Sequence, residues 1–379
     1  MKSQNQIITP SDKVKKMKPY FNEQDSEEKI DQLSQKNKFI KLDSNENPFG
    51  PPSALKLNTS ILNNINRYPD PLSTEFLDVL AERLKISPES LLAGSGSDEL
   101  LDLILRCYTE RGESVLSFTP GFSMYKVYAQ INEIDYLSIP MILKKNSVSC
   151  TAEYEIPQEK FLRKASQSKI IILARPNNPD GSVPREDFIK KVLNLKKLVI
   201  LDEAYIEFSE TRSLYNLTQT YSNLIVLRTL SKAYGLAGLR LGYGVMDPNL
   251  KRNLMVIKSP YNVNTVASEA GVIAIKSKKE IESNVRKIID NRAFLFRELQ
   301  KINRRGPYFF IHKSYGNFLL IRFNSPRTSW SLYKYLLTKS IKIRSFKGEM
   351  LNSCLRVSIG RRDELKKIIS EIKNFFEED

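Results

Sequence analysis

Four short stretches carry residues able to act together in one reaction. Asn178 lies in RPNNPDG, Asp202 and Tyr205 lie in LDEAY, and Ser231 and Lys232 lie in RTLSKAYGLAGLRLGYG, with Arg240 eight residues after the lysine. Upstream, Gly96, Ser97 and Asp98 belong to a Gly/Ser turn that runs into an amphipathic stretch, LLAGSGSDELLDLILRCY. Singly, each has an ordinary explanation: PNNPDG is a turn, an aspartate closing a strand caps a helix, and glycine-rich runs reflect packing. Together they share a chemical logic. A lysine that forms a Schiff base must be able to lose its proton. A pyridine-ring cofactor needs a carboxylate at its ring nitrogen and hydrogen-bond donors at its phenolic oxygen. Its phosphate needs a hydroxyl, an arginine and a helix N-terminus. Asp202, the pair Asn178 and Tyr205, and Ser231 with Arg240 and the 96–98 turn meet those needs in turn.

Residues so far apart in sequence need a scaffold that collects them. Short apolar runs bounded by turn residues predict strands at 114–118, 169–174, 198–202, 224–227 and 239–245. Apolar residues recur at helical intervals over 72–85, after the Gly/Ser turn, and over 185–195. Strand alternating with helix predicts an α/β fold around a mostly parallel sheet. After about Asn262 the pattern changes to a long helical stretch over 264–303 and a strand at 317–323. A helix near 329–338, strands near 341–344 and 355–359, and a final helix follow, which predicts a smaller α+β domain. The expected organisation is therefore an N-terminal arm over 1–40, a large domain over 41–262 and a small domain over 263–379. The 41–60 loop, rich in Asn, Pro and Gly, is expected to pack between the two domains.

Composition narrows the functional classes. At 379 residues, 41% hydrophobic and 27% charged, the chain is too long for one small core and too apolar for disorder. Its longest apolar run, 170–174, is far short of a membrane span, and MKSQNQIITPSDKVKK lacks the apolar stretch of a signal peptide. A cytoplasmic protein without a membrane partner is expected. Cys107, Cys150 and Cys354 are scattered without metal-ligand spacing, which suits free thiols in a reducing compartment. His312 is the only histidine, so histidine-based metal and triad chemistry is disfavoured. The net charge of +16 is uneven: residues 1–250 hold 32 Lys and Arg against 31 Asp and Glu, so the excess sits in the last third. There it is spread through helix-like stretches with no Gly/Arg tract, aromatic RNA-binding pattern or Cys/His finger, and reads as a solvated face rather than a nucleic-acid site.

The motifs, in their order, resemble the fold-type I, pyridoxal-phosphate-dependent aminotransferases, and within them the histidinol-phosphate aminotransferases. The resemblance runs from about Tyr20 to Arg362. It includes LDSNENPFGPP (42–52), RYPDP (67–71), GSGSDELLDLI (94–104), SKAYGLAGLRLGYG, SPYNVN (259–264) and CLRVSIGRRDE (354–364). It implies pyridoxal 5'-phosphate as cofactor, with Lys232 holding it covalently and moving the proton. Asp202 would pair with the ring nitrogen, Asn178 and Tyr205 would bond the phenolic oxygen, and Phe122 would stack on the ring. Ser231, Arg240, Gly96 and the backbone of Ser97 and Asp98 would bind the phosphate. Tyr68, in RYPDP, would reach the cofactor phosphate of a neighbouring subunit, which implies a two-fold homodimer with shared sites. Arg356 would grip the acidic group of the substrate, with Arg344, Tyr20 and Asn47 as further substrate-facing positions. Two departures stand out: the family often has tyrosine where Phe122 stands, and its NPTG turn is NPDG here, with Asp180 an extra carboxylate near the cofactor edge.

The implied reaction is transamination of L-histidinol phosphate with 2-oxoglutarate. Two alternatives use the same machinery: an aromatic-amino-acid aminotransferase and a threonine-phosphate decarboxylase of cobalamin synthesis. TPGF and NVN resemble the decarboxylases as well, whereas SNENPFGPP, GSGSDE and SKAYGLAG resemble the histidinol-phosphate group. A DNA-binding regulator built on an aminotransferase-like sensor would need a helix-turn-helix module, and the segment before KLDSNENP holds no such pattern.

Overall fold

The computed structural model describes residues 10–15, 17, 39–55 and 65–377. Fourteen strands are found among them. They are β1 (Ile40–Leu42), β2 (Leu91–Gly94), β3 (Ser114–Thr119), β4 (Asp135–Pro140), β5 (Ile142–Asn146), β6 (Thr151–Glu155), β7 (Ile170–Ala174), β8 (Leu198–Asp202), β9 (Leu224–Thr229), β10 (Gly242–Met246), β11 (Phe309–His312), β12 (Phe318–Phe323), β13 (Ile341–Ser345) and β14 (Cys354–Ser358).

The first sheet has the order β2-β10-β9-β8-β7-β3-β4. All neighbours are parallel except at β10, which runs antiparallel to both β2 and β9. β7 and β9 are buried at every position, which is why 170–174 and 224–227 read as unbroken apolar runs rather than alternating ones. Their common direction has a functional consequence. β7, β8 and β9 end at the same edge, and the segments leaving them carry Asn178, Asp202 and the Ser231-Lys232 pair. Sites of open α/β sheets lie at that carboxyl edge.

Helices α1 (Thr74–Leu84) and α2 (Gly96–Tyr108) flank this sheet; α1 buries Phe76, Leu77, Leu80 and Ala81, the stripe that 3.6-residue periodicity lays on one face. The predicted strand at 239–245 starts only at Gly242. Arg240 has φ 52°, a left-handed conformation that no strand accepts.

The second sheet has the order β1-β13-β14-β12-β11-β6-β5. It takes three strands from before residue 160: β1 pairs parallel with β13, and the β5–β6 hairpin joins through a parallel pairing of β6 with β11. The expected boundary at 262 is thus crossed by strands from 41–262. β5 is largely exposed, so no apolar run marked it in the sequence. The long helical stretch over 264–303 is two helices, α3 (Thr265–Lys276) and α4 (Lys278–Asn303). Ser277 separates them, its hydroxyl donating back to the Ile273 carbonyl at 2.8 Å. Helices α5 (Pro326–Thr338) and α6 (Arg362–Glu377) complete this half. Among the described residues, no helix is long and apolar enough to cross a membrane.

Candidate active site

Asp202 closes β8. Its Oδ2 accepts from the Tyr125 hydroxyl at 2.7 Å and its Oδ1 from the Ala204 N–H at 3.0 Å. Burial pushes its carboxyl up from the ordinary value, against those two donors. Such a carboxylate is poised to face a cation. Tyr125 is a member of the cluster that sequence reasoning missed; its only signal was its place three residues after Phe122, where the two rings meet edge to face at 5.5 Å. Tyr125→Phe removes one charge-assisted donor, and turnover should fall about tenfold with the fold intact. A rate within twofold of wild type, measured beside an unchanged thermal midpoint, would show that the hydroxyl does not position Asp202.

Tyr205 gathers the next group. Its hydroxyl accepts from Asn178 Nδ2 at 3.4 Å and from Asn45 Nδ2 at 3.2 Å. Asn45 is buried, has φ 54°, and is fixed by Ser358, which donates to its Oδ1 and accepts from its backbone N–H. The other end of Asn178 reaches Arg356: the guanidinium Nη1 donates to Asn178 Oδ1 at 2.6 Å, while Nη2 donates to the Asp43 carbonyl at 2.6 Å. Arg356 is buried and lies over the Phe318 ring at 5.4 Å. Arg344 sits directly across from it in the β13–β14 ladder, so the two side chains leave the same face of the sheet.

Lys232 follows β9 and donates from Nζ to the Ser44 carbonyl at 3.1 Å, with Nζ 5.8 Å from the centre of the Tyr205 ring. The LDSNENP loop therefore lies against the lysine. Gly235, with φ +70°, makes this close approach possible; a Cβ there would stand 2.3 Å from the Gly50 carbonyl oxygen. Asn47 holds the same contact, its Nδ2 donating to the Ala233 carbonyl at 2.9 Å. That contact is with the backbone beside the lysine.

At the start of α2, Gly96 has φ +82°, and a Cβ there would lie 2.7 Å from Arg240 Nη2. The left-handed turn at Arg240 aims its guanidinium here, where Nη2 donates to Asp98 Oδ2 at 2.9 Å and Nη1 to Ser231 Oγ at 3.4 Å. A hydroxyl, a guanidinium and a helix N-terminus thus converge. The Asp98 side chain, as well as its backbone, belongs to the group.

Asp180 is buried, and Asn177 Nδ2 donates to it at 2.6 Å. Burial pushes its carboxyl up from the ordinary 3.8 to about 6. The folded state therefore holds this proton more tightly than the unfolded one. The stability it contributes is complete below about pH 4 and is lost as pH rises through about 6. Asp180→Asn should remove that loss. Relative to wild type, urea unfolding of the variant should gain at most about 3 kcal/mol between pH 4 and pH 8; an identical pH dependence in the two proteins would contradict it.

Tyr68 lies outside this cluster. Tyr68 is 81% exposed and stacks on Tyr261 at 4.5 Å. Tyr20 lies outside the described residues. His312 is buried on β11, stacked on Tyr154 at 5.1 Å, and burial drives its imidazole down to about 3. It is neutral at working pH, and every basic function of this site falls to other groups. Among the described residues, no group of His, Cys, Asp and Glu is placed to hold a metal ion.

The donor set fits pyridoxal phosphate. The Gly96 cradle with Ser231 and Arg240 suits its phosphate, Asp202 its ring nitrogen, Asn178 and Tyr205 its phenolic oxygen, and Lys232 its aldehyde carbon. Comparison with known proteins agrees. Residues 37–372 match the family described as aminotransferase class I and II. The chain is 35% identical to the chloroplastic histidinol-phosphate aminotransferase of Nicotiana tabacum over 342 residues, 89% of this chain and 79% of that protein. It is 35% identical to the histidinol-phosphate aminotransferase of Flavobacterium johnsoniae over 367 residues, 95% of each. The crystal structure of histidinol-phosphate aminotransferase from Sinorhizobium meliloti in complex with pyridoxal-5'-phosphate shares the fold, with a TM-score of 0.82 at 21% identity over 99% of this chain and 100% of that one. With a family match across nearly its whole length and such relatives beside it, this chain belongs to the class I and II aminotransferases, among the histidinol-phosphate aminotransferases.

Proposed function

We propose that the protein transfers the amino group of L-histidinol phosphate to 2-oxoglutarate, giving imidazole acetol phosphate and L-glutamate. The observation that carries the choice of substrate is the pair Arg344 and Arg356, directly opposite each other on β13 and β14. Like charges across an antiparallel ladder destabilise it unless an anion lies between them. A dianionic phosphate ester answers that need better than a single carboxylate, and a guanidinium can grip both in turn.

Bound pyridoxal phosphate supplies an electron-accepting ring on which a Cα–H bond can break. The chain's own residues do the rest. Lys232 Nζ takes the Cα proton and returns it. Asp202 keeps a proton on the ring nitrogen, with Tyr125 and Ala204 fixing its carboxylate. Asn178 and Tyr205 hold the phenolic oxygen, and because Asn178 also accepts from Arg356, the anchor for the substrate anion and the anchor for the ring are one network. Ser231, Arg240 and the start of α2 hold the phosphate, and Phe122 stacks on the ring. On this reading 41–262 supplies the cofactor set and 263–379 the two arginines.

The pair Tyr68 and Tyr261 supports a homodimer. Lys258 Nζ donates to the Pro71 carbonyl, so the 65–72 segment lies against 256–261, and these two segments also expose Ile65, Leu72, Val256 and Ile257. An apolar patch of this kind is what a subunit interface covers. The scattered free thiols suit a reducing, cytoplasmic setting.

A single-turnover assay on loaded protein tests the reading. Histidinol phosphate, phenylalanine, tyrosine and threonine phosphate are added separately and each product is identified. Histidinol phosphate should react far ahead of the others. Preference for the aromatic amino acids, or carbon dioxide released from threonine phosphate, would overturn the substrate. Arg356→Leu should lower kcat/KM in both half-reactions by about 100-fold, because both anions use it. Loss confined to one half-reaction would mean that the two anions are gripped by different residues.

A further inference from the structure

A second concavity lies away from the cluster described above. It encloses about 740 Å³ between the β5–β6 hairpin, the start of the β11–β12 connection and the face of α4 that presents residues 292, 293, 296, 297 and 300. None of the cofactor or substrate positions lines it. Its chemistry is one-sided: Lys144, Lys145, Arg292, Arg297 and Lys313 surround it against a single carboxylate, Glu153. Lys144 pairs with Glu155. Among the described residues, Lys145, Arg292, Arg297 and Lys313 have no carboxylate within 4.0 Å, although elsewhere on the same helix Lys278 and Lys301 are paired with glutamates.

Arg292 is the most constrained of these cations. It is 8% exposed, and its Nη1 donates to two carbonyls, Phe208 at 3.1 Å and Gly316 at 2.7 Å, so its direct partners are neutral, while Glu210 acts on it from beyond ion-pair distance. Holding several like charges around one concavity is costly unless an anion joins them. The floor is apolar, with Phe296, Ala293 and Leu319. A volume of this size falls within the range of small-ligand sites, roughly 300–1,000 Å³.

We propose that this cavity binds an organic phosphate of mononucleotide size, its phosphates toward Lys145, Arg297, Lys313 and Arg292 and its flat body on Phe296 and Leu319. The wall that would contact it is tied to the cofactor side of the molecule: the Tyr315 N–H, next to Ser314 of the lining, donates to the Gly181 carbonyl at 2.9 Å, in the turn that carries Asn178.

The test is calorimetric titration of the pyridoxal-phosphate-loaded full chain, dialysed free of excess cofactor, with ADP and separately with inorganic phosphate. One ADP should bind per chain, with a Kd of about 10–100 μM, and inorganic phosphate at least about tenfold more weakly. Lys145→Glu combined with Arg297→Glu, two exposed positions at the rim, should weaken ADP by about 30-fold or more. Arg327→Glu combined with Lys366→Glu, the same change of net charge outside the lining, should weaken it by no more than about twofold. Phe296→Ser should weaken ADP while leaving inorganic phosphate unchanged. No saturable binding, or equal weakening by the two charge-reversed pairs, would overturn the site. Equal affinity for ADP and inorganic phosphate, unaffected at Phe296, would overturn the organic ligand.

Discussion

Lys232→Ala is expected to lower turnover by at least about 10⁴-fold and to abolish the visible absorption of covalently held cofactor. The size follows from two functions resting on one atom. Among the described residues, Nζ is the amine placed in the cluster, reaching the Ser44 carbonyl at 3.1 Å and lying 5.8 Å from the Tyr205 ring. On the proposed reading, removing it takes away both the covalent link and the group that moves the proton, and among the described residues no neighbour can substitute: Tyr205 is committed to Asn178 and Asn45, and the only histidine is buried on β11. The phosphate cradle is built from Ser231, Arg240 and α2 and does not depend on the amine. The variant should therefore retain cofactor non-covalently, which equilibrium dialysis would detect. Thermal unfolding should change little, because Nζ makes one hydrogen bond to a backbone carbonyl and Lys232 is not part of the apolar core. Retention of both the absorption and the turnover would remove Lys232 from the centre of the site.

How much of this was legible before any coordinates depended on the kind of signal. β3, β7, β8 and β9 announced themselves because both their faces are covered, so apolar residues dominate them and the runs stand out between turns. β5 did not, because its residues are mostly exposed and its partner strand β6 is followed across the fold by β11, more than 150 residues later. Long-range pairing leaves no local trace in a sequence. The same holds in the site. Asp202, Asn178 and Lys232 were visible as motifs, each at the end of an apolar run. Tyr125 and Asn45 were not, since a tyrosine in a helix and an asparagine in a loop are commonplace until the fold sets one 2.7 Å from Asp202 and the other 3.2 Å from Tyr205. Arg240 combines both cases. Its type was legible, but the left-handed turn that shortens β10 and aims its guanidinium at Ser231 was not.

The opposite pairing of Arg344 and Arg356 belongs to the second kind. The two residues are twelve apart in sequence and lie in separate motifs, IKIRSF and CLRVSIG, so nothing local joins them. Register does, and register is set by the turn and by which face of the sheet is buried. Substrate preference was therefore the least legible property of the chain, although most of the groups that would serve the chemistry could be named in advance.

Asp202→Asn should leave cofactor affinity within about tenfold of wild type and lower kcat by about 10³-fold, the scale expected when one group that stabilises developing charge is removed. The substitution keeps the shape of the side chain and deletes its charge. Half-buried beside the cofactor set, the aspartate accepts from Tyr125 and from Ala204, and two donors on one carboxylate oppose the upward push of desolvation. An asparagine offers a single acceptor oxygen. If that oxygen stays with the Ala204 N–H, the amide nitrogen turns toward Tyr125, whose hydroxyl oxygen can accept in place of donating. The fold should therefore tolerate the change. What is lost, on the proposed reading, is the negative charge that would keep a proton on the ring nitrogen, and a neutral amide has no means to replace it. The loss should be visible in kcat rather than KM, since on the proposed reading substrate is gripped elsewhere, at Arg356 and Arg344. Combining Asp202→Asn with Tyr125→Phe sharpens the assignment. If Tyr125 acts only by fixing the carboxylate, the double variant should be no slower than Asp202→Asn alone, because the group it positions is already gone. Additive losses would give Tyr125 a separate role, and normal turnover of Asp202→Asn would mean that another group holds the ring nitrogen.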